Sequence, residues 1–80
     1  MRARIEIRLR PGVLDPEAVA IGRALGNLGF HGIGGVRRAK IIELDLATRE
    51  RSAAERQLRE MCERLLANPV IETYEIHLLD

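Results

Sequence analysis

The sequence predicts an α+β fold: a two-layer sandwich, strand-helix-strand-helix-strand, with both helices on one face of a small sheet and oligomer contacts through the sheet. Three observations carry this. "RARIEIRLR" at 2–10 alternates strictly between apolar and charged residues, the period of a half-buried strand. Residues 16–28 and 47–69 repeat apolar side chains at the spacing of a helix with one buried stripe. "VIETYEIHLL" at 70–79 returns to alternation. A chain of 80 residues is read as one domain, 1–80, and buries only about 60–65% of its unfolded surface.

In the first strand Ala3, Ile5, Ile7 and Leu9 share one face, and Arg2, Arg4, Glu6, Arg8 and Arg10 the other. A charged second face is wet or ion-paired, so helices should cover this sheet on one side only. Pro11-Gly12 turns the chain, because Pro fixes φ and Gly accepts positive φ. Asp15 suits an N-cap and Pro16 the first helical position, while Glu17 opposes the positive end of the helix dipole. Ala18, Ile21, Leu25 and Leu28 form the stripe, and Gly29 is the stop signal. Val13 and Leu14 are placed to staple onto Ala18 or the sheet.

"HGIGG" at 31–35 is a flexible connector, and "VRRAKIIELDL" at 36–46 is the next strand. Ile42, Leu44 and Leu46 share a face; Ile41 falls on the other, beside Glu43 and Asp45. That adjacency implies a bulge or burial on both faces, and we expect a neighbouring subunit against Ile41. The second helix, 47–69, carries Ala54, Leu58, Met61, Cys62, Leu65 and Leu66 as its stripe. Ser52 and Glu55 fit a capping box, Thr48 is an equal candidate start, and Asn68-Pro69 ends the helix. The last strand sets Val70, Tyr74, Ile76 and Leu78 on one face and Ile71 and Leu79 on the other. Strict βαβ crossovers would make the strands parallel, while the charged outer face favours an antiparallel sheet. A short strand at 30–33 forming a hairpin would reconcile the two, and the sequence leaves the choice open.

Composition narrows the function. Hydrophobic residues make up 46% and charged residues 31%, a globular balance, but the aromatics are Phe30 and Tyr74 alone, so the core is aliphatic. Such a thin core leans on self-association. The net charge of 13 − 12 = +1 argues against a polyanion or membrane partner. Residues 1–40 carry 8 − 3 = +5 and residues 41–80 carry 5 − 9 = −4, which favours self-complementary docking. One cysteine, no signal-peptide pattern and no long apolar run predict a cytoplasmic protein.

Catalytic groups are sparse. His31 and His77 have no companion Cys or Asp at metal spacing and read as surface residues. Cys62 sits among Leu58, Met61 and Leu66, a buried thiol rather than a nucleophile. Ser52 is the lone serine and reads as a cap. No catalytic residue and no metal site is assigned, and nothing supports an enzyme working alone. Two binding patterns remain. Gly32-Ile33-Gly34-Gly35 fits the GXXG loop of KH-type RNA binders, without the following helix. "RPGVL" resembles the effector corner of ACT domains, which makes an amino-acid-binding module the alternative function.

Three blocks in order, "LRPGVLDPEA", "GVRRAKIIELDL" and "MCERLLANPVIETYEI", resemble the PurS family, small subunits of phosphoribosylformylglycinamidine (FGAM) synthase. The family's "KPGVLDP" appears as Arg10 to Pro16, with Arg for the frequent Lys, and "CEKLLANPVIE" as Cys62 to Glu72. "ATRERSA" at 47–53 and His31 to Gly34 depart from relatives that are more acidic there. The resemblance implies a non-catalytic subunit of de novo purine biosynthesis. It bridges a large synthetase and a glutaminase, supports ammonia transfer, and binds no cofactor itself, ATP and Mg being held by the large partner. The complex converts formylglycinamide ribonucleotide, ATP and glutamine into formylglycinamidine ribonucleotide, ADP, phosphate and glutamate. A dimer or tetramer through Ile41 and Leu79 is expected. Partner contacts are expected at Arg8, Arg10, Pro11, Gly12, Val13, Arg37, Arg38 and Lys40.

Overall fold

The computed structural model describes residues 1–79. Strand β1 (Arg2–Leu9) is the centre of a three-stranded sheet, between β2 (Ala39–Asp45) and β3 (Glu72–Leu78). Both neighbours run antiparallel to β1, with Ile5 opposite Ile42 on one side and Ile76 on the other. Helix α1 (Pro16–Asn27) joins β1 to β2, and α2 (Arg51–Met61) leads into a π turn over Cys62–Leu66 before β3. The α+β class and the element order are those expected.

The register settles the strand directions. Arg8 faces Ala39, so the chain leaves the sheet after β1 and re-enters at the same end. The α1 segment is therefore an excursion beyond the sheet rather than a crossover, and β1 and β2 end up antiparallel. The second helical segment does cross: β2 ends opposite Arg2 and β3 begins opposite Leu9. Strands β2 and β3 are thus parallel to each other with β1 between them. Residues 30–33 form no strand.

The core lies between the inner face of the sheet and α2. Ala3, Ile5, Ile7, Leu58, Cys62 and Ala67 are buried together, with Ala54 buried beside them on α2. Ile42, Leu44, Tyr74, Ile76 and Leu78 pack around this cluster half-buried. Each fully buried Ile or Leu contributes about 1.5–3 kcal/mol from the surface it removes from water. Cys62 is within this core, and burial pushes its thiol pKa up, with Glu63 adding to the effect.

Only α2 covers the sheet, which corrects the expectation of two helices on one face. Ala18 is the one buried residue of α1, while Ile21 of its stripe is exposed and Leu28, at its C-cap, is 74% exposed. Instead α1 rests on the returning chain, where Val36 lies 3.5 Å from the position a Cβ on Gly22 would take. The chain is elongated, 49 × 26 × 15 Å, with a radius of gyration of 16.2 Å; a compact fold of this length has about 12 Å.

The caps show why α1 forms where it does. The Asp15 carboxylate accepts from the N–H groups of Glu17 and Ala18 at 3.0 and 3.2 Å, and Pro16 follows at the first helical position. At the other end Gly29 has φ +95°, Phe30 N–H donates to Leu25 O and Gly29 N–H to Gly26 O. That pair of bonds is a Schellman stop. Helix α2 starts at Arg51, between the two expected caps, with Glu50 at the N-cap position. Thr48 Oγ1 accepts from Glu50 N–H, and Ser52 Oγ donates to the Glu50 carboxylate, so neither hydroxyl caps the helix. At the π turn Ala67 N–H reaches back to Cys62 O. The wider turn shifts the stripe by one residue, so Ala67 is buried and Leu65 is 82% exposed.

Candidate functional site

The expected contact residues converge on a cleft at the end of the sheet. Pro11 and Gly12 make a type II turn, with Val13 N–H on Arg10 O at 3.1 Å and Gly12 at φ +89°. The turn aims the chain away from β1 and into α1, while residues 36–38 return alongside. Between them lies a cleft of about 550 Å³, walled by Arg8, Arg10, Pro11, Gly12 and Val13 on one side and Arg37 and Arg38 on the other. Leu14, Ala18, Val19 and Val36 add an apolar lining not expected at this corner, and Thr73 enters because the register sets it opposite Arg8. Leu14 is 72% exposed, so it does not staple α1 to the sheet as expected.

The four arginines of the cleft are not equivalent. Arg38 makes three charge-assisted bonds, two to Asp15 at 3.0 and 2.8 Å and one to Glu17 at 2.6 Å. It ties the start of α1 to the chain entering β2, so its role is structural. Bonding by Arg38 is the main reason the Asp15 carboxyl lies below its ordinary pKa, with the Ala18 and Glu17 N–H groups helping against partial desolvation. The same bond raises the Arg38 pKa. Arg8 donates to Glu6 at 2.7 Å. Arg10 donates through Nε and a terminal nitrogen to the carbonyl of Pro69, at 3.3 and 2.8 Å, and its own N–H bonds Ile71 O. Among the described residues Arg37 has no polar partner.

Lys40 lies outside this group. The register sets it opposite Ile7, on the face that α2 covers, where Nζ is 3.9 Å from Glu72. Ile41 is on the outer face opposite Glu6 and is 50% exposed, as the alternation requires. Leu79 is 42% exposed one residue past β3, where its N–H bonds Arg2 O. The two are not neighbours: the Arg4–Glu43 pair crosses the outer face between their positions.

The outer face also brings together residues that sequence spacing kept apart. Glu6 and Glu75 are directly opposed across β1 and β3, and the donor atoms of Glu6, Glu75 and His77 lie within 4.8 Å of one another. The missing companions of His77 are thus carboxylates from an adjacent strand and its own. The set is partly exposed, Glu6 already accepts from Arg8, and His77 Nε2 is 3.4 Å from Glu75. His31 is exposed in its connector. Tyr74 donates its hydroxyl to Glu63 at 2.8 Å, the main reason its pKa is raised. None of these groups forms a buried acid–base pair.

Comparison with known proteins gives the family of this chain. A family model described as PurS, phosphoribosylformylglycinamidine (FGAM) synthase, matches residues 2–80. The PurS subunit of phosphoribosylformylglycinamidine synthase from Archaeoglobus fulgidus is 47% identical over 76 residues, covering 95% of both chains. The crystal structure of PurS from Methanocaldococcus jannaschii matches with a TM-score of 0.86 at 41% identity, over 95% of this chain and 92% of that one. A chain in the structure of PurLQS from Thermotoga maritima matches with a TM-score of 0.87 at 31% identity, over 98% and 95%. Matched almost end to end in sequence and in fold, the chain belongs to the PurS family.

Proposed function

We propose that this chain is the non-catalytic small subunit of an FGAM synthase. It bridges the large synthetase and the glutaminase and supports the transfer of ammonia between them. The observation that carries this is its likeness, over nearly its full length, to a chain of the PurLQS assembly of Thermotoga maritima. The residue inventory fits: the one thiol is buried, and the cleft's single carboxylate, Asp15, is tied to Arg38. In this reading ATP and Mg are held by the large partner, the whole chain acts as one domain, and the complex works in the cytoplasm. No helix among the described residues is long and apolar enough to cross a membrane. The Pro11-Gly12 corner with Arg8, Arg10 and Arg37 is the partner surface; Ile41 and Leu79 serve self-association.

The test is reconstitution with the purified large synthetase and glutaminase of the same organism. The three proteins should co-elute, and glutamine-dependent FGAM formation should require all three, while this chain alone turns over neither glutamine nor ATP. Full glutamine-dependent activity of the two larger proteins in its absence would remove the proposed role.

A further inference from the structure

The outer face of the sheet holds a set of donor atoms that the Pro11-Gly12 corner does not use. Glu6 stands in the middle of β1 with Glu75 directly opposite it on β3, so two carboxylates face each other across a strand pair. Like charges placed in this way destabilise a sheet, and a cation held between them removes that cost. His77 follows Glu75 by two residues, which returns it to the same face. One donor atom from each of the three lies within 4.8 Å of the others. Arg8 engages Glu6 through Oε1 and leaves its second oxygen to another partner. Arg4, opposite His77, pairs with Glu43 on the β2 side.

The geometry points to a zinc site on the outer face of the sheet, with Glu6, Glu75 and His77 as its three protein ligands. A tetrahedral zinc with bonds of about 2.0–2.1 Å sets its ligand atoms about 3.4 Å apart. Nε2 of His77 is already 3.4 Å from Oε2 of Glu75. Glu6 has to close from at most 4.8 Å, a movement that rotation about its outer side-chain torsions supplies. Two carboxylates alone would suit magnesium or calcium, whereas the imidazole nitrogen favours a borderline metal such as zinc. Arg8 then holds Glu6 from behind, as an outer hydrogen bond orients a ligating carboxylate. Paired strands carry all three ligands, and regular elements hold a site more firmly than loops do. A fourth position stays open to water. The site occupies the β1–β3 half of the face, and Ile41 borders Glu6 from β2, so one chain supplies the whole set without self-association. Cys62, the softer ligand, is sealed in the core on the other side of the sheet.

The test uses the untagged full-length chain, stripped with a chelator and titrated with zinc chloride in a calorimeter. It should bind one zinc per chain, and E6Q, E75Q and H77Q should each weaken binding about tenfold or more. H31Q, at the other histidine of the sequence, should stay within about twofold of wild type, because that exposed connector offers no set of ligands. In NMR spectra of the wild-type chain the His77 ring signals should move with zinc while those of His31 stay, a reading that needs no variant. Cobalt in place of zinc should give visible d–d bands without the near-ultraviolet band of a thiolate ligand. Absence of binding, equal loss in H31Q, or a thiolate band implicating Cys62 would overturn the site. Wild-type affinity in E6Q would reduce it to a Glu75–His77 contact and overturn the three-ligand set. Displacement of zinc by about a hundredfold excess of magnesium would mean a diffuse acidic patch and overturn it as well. The scaffold reading stands or falls separately, on reconstitution.

Discussion

Asp15 does two jobs with one carboxylate. It accepts from the first N–H groups of α1 and from the Arg38 guanidinium. The first job was legible in "LDPEA", since a cap acts within three residues. The second was not, because Arg38 is 23 residues away and only the fold brings it back. The folded pKa lies below the ordinary 3.8. A depressed carboxylate contributes stability above its unfolded value and loses it as pH falls through the folded one. R38Q should therefore move the Asp15 titration up toward 3.8, though not fully, because the two N–H bonds remain; an NMR titration of the carboxyl reads this directly. An unmoved titration would mean that the cap alone sets it. Arg38 is exposed and Asp15 half-buried, so only a modest change in neutral-pH stability is expected.

At the scale of the elements, the π turn decides which leucine matters. Helical spacing put Leu65 and Leu66 on one stripe, and that spacing holds only while each turn keeps its ordinary pitch. The Ala67 to Cys62 bond widens the last turn and rotates Leu65 into solvent, while Leu66 packs against the core. Leu65→Ala should thus change unfolding free energy by less than about 0.5 kcal/mol. Leu66→Ala should cost about 1–3 kcal/mol, less than the full burial value because the site is half-exposed. Urea unfolding of the two variants checks the order, and equal losses would mean an unbroken α-helix. The sequence showed the apolar period but not this phase slip, because no proline or glycine marks it. The stop of α1 was legible for the opposite reason: Gly29 is needed at positive φ.

The whole molecule is longer than its core can hold together. Sheet and α2 bury their apolar faces against each other, while α1 leaves Val19 and Ile21 in water, with Phe30 just beyond its end. Topology was the least legible part of the sequence, since the order of elements is the same whether a helix crosses the sheet or goes out and back. The cleft was legible as a corner but not as a cleft, because its second wall arrives from 36–38. Burying the leftover apolar surface calls for self-association. Sedimentation at high micromolar concentration should give a mass well above 9.0 kDa. Ile41→Asp should shift the chain toward monomer while changing its own unfolding free energy by about 0.5 kcal/mol or less. Loss of folding together with association would place Ile41 in the core, and an unchanged mass would move the interface to the α1 side.

The attachment of α1 has a mechanical result. It is fastened at its root by the Asp15–Arg38–Glu17 clasp and at mid-length by the Val36 contact at Gly22, while Leu28 at its far end is exposed. A rod held in its first half takes its bearing from the clamp, so each small tilt at Arg38 is magnified along a helix of 12 residues, about 3.3 turns, before it reaches Phe30. Whatever grips the cleft beside that clamp also steers the tip.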